Sequence, residues 1–427
     1  MARLRASSAP PKWWRRMLKK GTITIVFVLI LTILMSIVIS ATAAETGVIH
    51  CECGDICVNT SGWWRDGGSF AFNASNTPIQ HAINNATEGE TICVRAGTYV
   101  ENVKVNRSLT IRSEDGSAFT TVQALNSDDD VFNLTADYVN ISGFTVTGAT
   151  VFSAGIYLSS VSHCNVSDNH AMHNKDGIYL YYSSNNTLTN NTAHDKYYGA
   201  GIYLYYSSSN TLISNIASTN EIGIYLFHSS NNTLTDNIAL HSECGIYLPH
   251  SSNNTLKNNT ANSNGRYSIY LRSASGNTLT NNTVSNNNYG YGIYLSSSSS
   301  NLIYNNYFNN TNNAYDDGNN LWSTAKTKGT NIIGGPWLAG NYWSDYAGED
   351  MDGDGLGDTL LPYNSSGNVQ TGGDFLPLVK PAVSQPVTKP TPGEKRRIPG
   401  FEAWVATLNL FIMFLLLRRR KRDKFYI

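Results

Sequence analysis

A four-residue phrase, Gly-Ile-Tyr-Leu, begins at Gly155 and returns at Gly177, Gly201, Gly223, Gly245 and Gly292, with Ser-Ile-Tyr-Leu at Ser268. The intervals are 22, 24, 22, 22, 23 and 24 residues. A chain that repeats a β-type phrase at this period folds as a solenoid, because each coil buries its apolar side chains only against the coils beside it. The leucine-rich repeat shares the period, but its leucine and asparagine spacing is absent, and no segment between the phrases reads as a helix.

Aligned on the phrase, the coils show further columns. An apolar column runs Val166, Leu188, Leu212, Leu234, Leu256, Leu279, Ile303, and three residues after each comes an asparagine, from Asn169 and Asn191 to Asn306. Two residues further on sits a small or apolar residue, from Ala171 to Val284 and Phe308. A second asparagine column, Asn186, Asn210, Asn232, Asn254, Asn277 and Asn301, lies two residues before the apolar one, with Cys164 in that place in the first coil. Asparagine tolerates left-handed backbone, bonds its own turn and, in stacked turns, bonds the coils on either side. These columns predict ladders at the corners of a parallel β-helix of about 22 to 24 residues per coil, an all-β fold.

Alternation within the phrase points Ile and Leu inward and the Tyr between them outward. Tyr157, Tyr179, Tyr203, Tyr225, Tyr247, Tyr270 and Tyr294 therefore form a column on one outer face, with Tyr181, Tyr182, Tyr205, Tyr206, Phe227, His228 and His250 following. Aromatic faces of this kind stack on sugar rings, and tyrosine also simply suits an exposed strand. Glu221 and Glu243 occupy the same place in adjacent coils, with Asp176 nearby, a spacing open to acid and base roles. Only 14% of residues are charged, against about a quarter in ordinary globular chains. The net charge is -1 with no basic patch outside the two ends, which argues against nucleic acid as a partner.

Residues 1–44 read as a signal peptide or N-terminal membrane segment: Arg15, Arg16, Lys19 and Lys20 precede an apolar run from Ile23 to Ile39, and Ala41-Thr42-Ala43 suits cleavage. An outside location fits more than a dozen Asn-x-Ser/Thr sequons, among them Asn73, Asn133, Asn140, Asn165, Asn231, Asn253 and Asn364, and predicts glycosylation of some of them. Residues 45–90 form a cysteine-rich cap with a short helix, Thr77 its N-cap, Pro78 its first residue and Ile79, Ala82 and Ile83 its apolar face. Cys51, Cys53, Cys57 and Cys93 predict disulfides there, while Cys51, Cys53 and Cys57 with His50 and His81 are also a donor set for copper or zinc. Cys164 and Cys244 read as buried fillers, and Asp128-Asp129-Asp130 as a solvated turn.

The β-helix is placed at 91–310 and a C-terminal cap at 311–376, where Trp322, Trp337, Tyr342 and Trp343 are expected to plug the core. Asp350, Asp352, Asp354 and Asp358 with Gly355 match the first positions of an EF-hand loop, although Leu361 replaces the bidentate Glu; a structural Ca²⁺ site is expected. A Pro-rich stalk follows at 377–397, then residues 398–427 with Pro399-Gly400-Phe401, an apolar run to Leu417 and a basic end. That run is short for a permanent span and suits a sorting signal exchanged for a lipid anchor.

The coil columns resemble the pectin-lyase-like right-handed β-helices, in particular the repeats of the NosD family of periplasmic copper-binding proteins. The stretch NNAYDDGNNLWSTAKTKGTNIIGGPWLAGNYWSDYAGEDMDGDGLGD is similar to the C-terminal portion of archaeal members. Pro399-Gly400-Phe401-Glu402 with its apolar run and RRRKR resembles the PGF-CTERM signal read by archaeosortases. The resemblance implies an archaeal surface protein held at the membrane by its terminal segments or a lipid anchor, and copper as a family ligand. No histidine or methionine column accompanies it: His163, His170, His173, His194, His228, His241 and His250 are scattered over different faces. The acidic and basic motifs of polygalacturonases, pectate lyases and mannuronan epimerases are not visible. The expectation is therefore an envelope scaffold that binds an extracellular glycan or a neighbouring envelope component, with copper handling or polysaccharide cleavage as alternatives.

Overall fold

The computed structural model describes residues 53–66, 72–194, 199–287 and 289–380. They build a right-handed parallel β-helix of about 10 turns, about 23 residues each. Each coil contributes one strand to each of three sheets. A 10-stranded sheet collects the GIYL strands, such as Asp176–Tyr181 and Ala200–Tyr205; a 13-stranded sheet collects the leucine strands, such as Thr187–Thr189; an 11-stranded sheet collects the alanine strands, such as Thr192–His194. Pairing from coil to coil is parallel and in register, so like residues meet like: Ile178 with Ile202, Tyr179 with Tyr203, Leu188 with Leu212, Ala193 with Ala217. A one-residue slip would turn every apolar column to solvent, which is why the period fixes the register. Ile178, Leu180, Leu188 and Ala193 are fully buried, as are their equivalents in the neighbouring coils.

Both expected asparagine columns are buried ladders. Asn186 donates its backbone N–H and its Nδ2 to Asn210 Oδ1 at 2.8 and 3.2 Å, and the pattern repeats through Asn301 onto Asn320. The second ladder continues past Asn306 to Asn341. The left-handed backbone belongs to the residue before each ladder asparagine: Asn185, Asn190, Asn231, Asn253 and Asn258 have φ of 55 to 59°. In each Asn-Asn pair the first residue turns the corner and the second ties the coils together. Two further ladders were not anticipated, one of Ser183, Ser207, Ser229 and Ser251, the other of Asn220, Ser242, Asn264 and Asn287 ahead of the GIYL strands. The glycine of the phrase is required by close packing, since a Cβ on Gly177 would lie 2.5 Å from Gly201 O and 2.8 Å from Ala193 Cβ. Ser268 is accommodated because Asn264 and Asn287 both donate to its hydroxyl.

The expected helix, Pro78–Asn85 (α1), buries Ile79, Ala82 and Ile83 over the first coils. Thr77 makes no side-chain cap; Glu101, buried in the following coil, accepts from Ile79 N at 3.1 Å and Gln80 N at 2.9 Å instead. Cys53 and Cys93 form a disulfide, and Cys57 is also disulfide-bonded. Of the thiols of the alternative metal site, those of Cys53 and Cys57 are thus consumed in disulfides, while Cys51 and His50 lie outside the described residues. Cys164 and Cys244 are free and buried, as fillers should be.

At the far end Trp322 and Trp343 plug the core, but Trp337 and Tyr342 do not. Trp337 sits half-buried beneath Lys326, and Tyr342 stacks on Tyr307 beneath Lys380. Tyr363 completes the plug, its ring 4.4 Å from Trp343, which itself stacks on Phe308 at 4.5 Å. Trp322 Nε1 donates to buried Asp316 and Trp343 Nε1 to buried Asp374, so neither indole leaves an unpaired donor. The stalk expected from residue 377 starts too early, since Leu378 is buried in the cap and Lys380 covers Tyr342; the rest of the stalk, the expected export segment and the sorting tail with Pro399, Gly400 and Phe401 lie outside the described residues. No helix among the described residues is long and apolar enough to cross a membrane.

Candidate functional site

All seven predicted tyrosines stand half-buried on the outer face of the GIYL sheet. In-register strands stack their rings: Tyr179 to Tyr203 at 4.6 Å and 6°, Tyr203 to Tyr225 at 4.6 Å and 14°, Tyr225 to Tyr247 at 5.2 Å and 9°, Tyr247 to Tyr270 at 4.4 Å and 6°. Two shorter stacks run beside them, Tyr181 to Tyr205 to Phe227, and Tyr182 to Tyr206 to His228 to His250. This geometry corrects one expectation. The flat ring faces are occupied by neighbouring tyrosines, so along the stack only edges and hydroxyls meet solvent. The column breaks after Tyr270, where Tyr294 is turned by 78° and Tyr267 inserts 4.8 Å from Tyr270. Burial pushes the Tyr225 and Tyr270 phenols up to about 12.

Glu221 and Glu243 lie one coil apart at the corner that leads into this sheet, and both line two cavities. One, of about 330 Å³, opens onto Tyr247, Tyr270, Arg266 and Arg272; the other, of about 430 Å³, lies behind the pair against Asn220 and His241. Asp176 belongs to the same corner but lines neither cavity. Its carboxylate accepts from Ala200 N at 2.7 Å, and burial raises its pKa. Asp130 does the same for Ala154 N, also at 2.7 Å, with its pKa raised by burial to about 6; the Asp128–Asp130 run is thus more than a solvated turn. The structure therefore brings the two glutamates together and assigns Asp176 to holding the corner. Sequence reasoning missed Arg266 and Arg272. The signal was present, since Tyr267–Arg272 is the GIYL strand that ends in a basic residue.

In the C-terminal cap, carboxylate oxygens of Asp350, Asp352 and Asp358 come within 4.8 Å of one another. Asp350 also gathers the N–H groups of Gly353, Asp354 and Gly355, which curls the loop. Asp354 faces away, paired with Lys326. The histidines are less scattered than expected: His170, His173 and His194 form one group, with centroids 6.3 Å apart for His170 to His194 and for His173 to His194, and Met172 pairs across the sheet with His194. His228 and His250 stack at 4.7 Å, and His163 stacks on Tyr138.

Comparison with known proteins agrees with this architecture. A pectate lyase structure aligns over 83% of this chain and 95% of its own with a TM-score of 0.52 at 16% identity. The A-module of a mannuronan C-5 epimerase from Azotobacter vinelandii aligns over 57% of this chain and 76% of its own with a TM-score of 0.50, also at 16% identity. At such identities the likeness is one of fold. A cell surface glycoprotein of Methanothermus fervidus is 38% identical over 95 residues, 22% of this chain, and the match spans only 15% of that protein's length. The family model described as periplasmic copper-binding protein (NosD) matches residues 83–226 and 142–348, together well over half of the chain. With its stacked coils accounted for by that model, the chain belongs to the NosD family.

Proposed function

We propose that this protein is a cell-surface β-helix scaffold that binds an extracellular glycan of the envelope in the cavity where its tyrosine stack ends. The observation that carries the reading is the cavity where the tyrosine stack ends, at which phenol donors, two carboxylates and two guanidiniums converge on a half-buried aromatic wall. Sugars bind such surfaces by combining apolar ring contact with several directional polar groups. The family's periplasmic description and the surface-glycoprotein relative support an extracellular location. Within this reading the terminal segments hold the protein at the membrane, and the Asp350, Asp352 and Asp358 loop takes a structural Ca²⁺.

The test is a glycan array on the full-length protein. Saturable binding to one glycan class is expected, falling at least tenfold when Tyr247→Ser and Tyr270→Ser are combined while the thermal midpoint is kept; absence of binding to any glycan would refute the proposal. A second reading, copper binding, is favoured by the group of His170, His173, His194 and Met172, whose imidazole and thioether donors are those copper takes. Their rings would have to turn inward to share one ion. Copper analysis of the same sample decides it: a stoichiometric metal that His194→Ala removes supports this reading, and copper-free protein after loading rejects it.

A further inference from the structure

At the corner between a GIYL strand and the leucine strand that follows, three coils carry the sequon Asn-Asn-Thr, and the fold gives its two asparagines opposite surroundings. The acceptor comes first. Asn185, Asn231 and Asn253 stand exposed in left-handed backbone at φ of 56 to 59°, and among the described residues their side chains make no hydrogen bond. The second asparagine, Asn186, Asn232 or Asn254, is 1% exposed, and its Nδ2 donates to the Oδ1 of Asn210, Asn254 or Asn277 at 3.2, 3.1 and 3.0 Å. Thr187, Thr233 and Thr255 then open the leucine strands with their side chains on the outer face. Threonine holds that place in the coils of Thr211 and Thr278 as well, so the strand supplies the hydroxyl and the corner residue decides where an acceptor stands. His163, Ser209, Gly276 and Ser300 make the same left-handed turn without one.

Sequons elsewhere have their amides engaged. Asn140 Nδ2 donates to Thr110 Oγ1 at 3.1 Å, and at the next corner, between leucine and alanine strands, Asn281 Nδ2 donates to Asn258 Oδ1 at 2.6 Å. Transfer of a sugar needs an accessible amide nitrogen with a hydroxyl two residues on. Resting on the extracellular location proposed above, we propose that Asn185, Asn231 and Asn253 form a row of N-linked glycosylation sites along one edge of the solenoid. The donor is an oligosaccharide joined through its anomeric carbon to a lipid-borne phosphate. A bond forms from Asn Nδ2 to that carbon as the carbon–oxygen bond to phosphate breaks. The lipid phosphate leaves with the electron pair, and the transferring enzyme takes one amide proton. Modification leaves the corner intact, because the backbone and ladder bonds do not use this side chain. The row flanks the stacked rings of Tyr182, Tyr206, His228 and His250, three residues earlier in their coils. The coil that brings Tyr270 and Arg272 to the cavity has Gly276 at this corner, so no glycan springs from it there.

The experiment is glycopeptide mass spectrometry on the full-length protein purified from the cells that naturally make it, with the same cells labelled beforehand by a membrane-impermeant amine reagent. Asn185, Asn231 and Asn253 are expected to carry glycan in the majority of molecules, and Asn140 and Asn281 to remain bare. Asn231→Gly, which suits the left-handed turn, should abolish the glycan at that position alone. Thr233→Ala should abolish the same glycan while leaving Asn231 in place, and a glycan that persists there overturns sequon-directed transfer. Thermal midpoints report that each variant folds. Bare peptides at all three corner asparagines overturn the proposal, whether or not other sequons are modified. The surface label separates the two readings: labelled protein with a bare corner leaves the extracellular reading standing, and protein that is neither labelled nor glycosylated overturns both.

Discussion

At the scale of single residues, the asparagine pairs separate two tasks that one amino acid performs. Asn237 accepts from Asn215 N and Nδ2 at 2.9 and 3.0 Å, and donates to Leu212 O and Asn259 Oδ1 at 2.9 and 3.0 Å. Asn237→Ala strands several buried polar groups at once. With each unmet buried group costing about 1–3 kcal/mol, a loss of about 4 kcal/mol is expected in denaturant unfolding. Asn231 stands exposed at φ 59°, where glycine is equally at ease, so Asn231→Gly should stay within about 0.5 kcal/mol of the parent. Similar losses for both would remove the ladder from the account of stability. The ladders themselves were legible from the period. Which asparagine of a pair turns the corner was not, because that depends on backbone dihedrals that two adjacent identical letters do not distinguish.

At the scale of elements, α1 shows a local signal overridden by tertiary contact. Thr77 and Pro78 mark the start of the helix, yet its first N–H groups are met by Glu101, which burial pushes up to about 7 from an ordinary 4.5. An acid whose pKa is raised on folding binds more protons in the native state. Its contribution is complete below about pH 4.5 and is lost as pH rises through about 7, a change on the order of 3 kcal/mol. Asp374 under the C-terminal plug, raised by burial to about 6 from 3.8, acts in the same direction. Both ends of the solenoid are thus expected to loosen between about pH 4 and pH 7. Unfolding curves at pH 4.5 and pH 8 should show this decline in the parent and a smaller one in Glu101→Gln; an unchanged slope in the variant would exclude Glu101 as a source.

At the scale of the whole molecule, each coil contacts only its neighbours, so stability is close to a sum of coil and interface terms, and damage at an end stays local before it spreads. Trp343 seals the last coil by stacking on Phe308 and Tyr363 and by satisfying Asp374. Trp343→Ala removes a buried indole and leaves that carboxylate short of a donor, a loss of about 3–5 kcal/mol. Hydrogen exchange should accelerate first in Leu302–Tyr304 and Tyr307–Asn309 and fade toward Asp176–Tyr181. Uniform acceleration along the chain would mean that the solenoid unfolds as a single unit.

The sequence by itself determined the coil, its register, the inward columns and the outward tyrosines, because a repeat of fixed period leaves stacking in register as the one way to bury every apolar column. It also placed Glu221 beside Glu243, since equivalent positions of adjacent coils become neighbours. Only the tertiary structure decided what the outer face can do. Stacking the coils turned the tyrosine faces toward one another and closed them to a ligand, until the break at Tyr270 opened a cavity between two arginines that the repeat pattern does not contain. It likewise gathered His170, His173 and His194 and exchanged two expected plug aromatics for Tyr363. These are departures from the repeat, and where a departing side chain lands is set by the particular neighbours it meets.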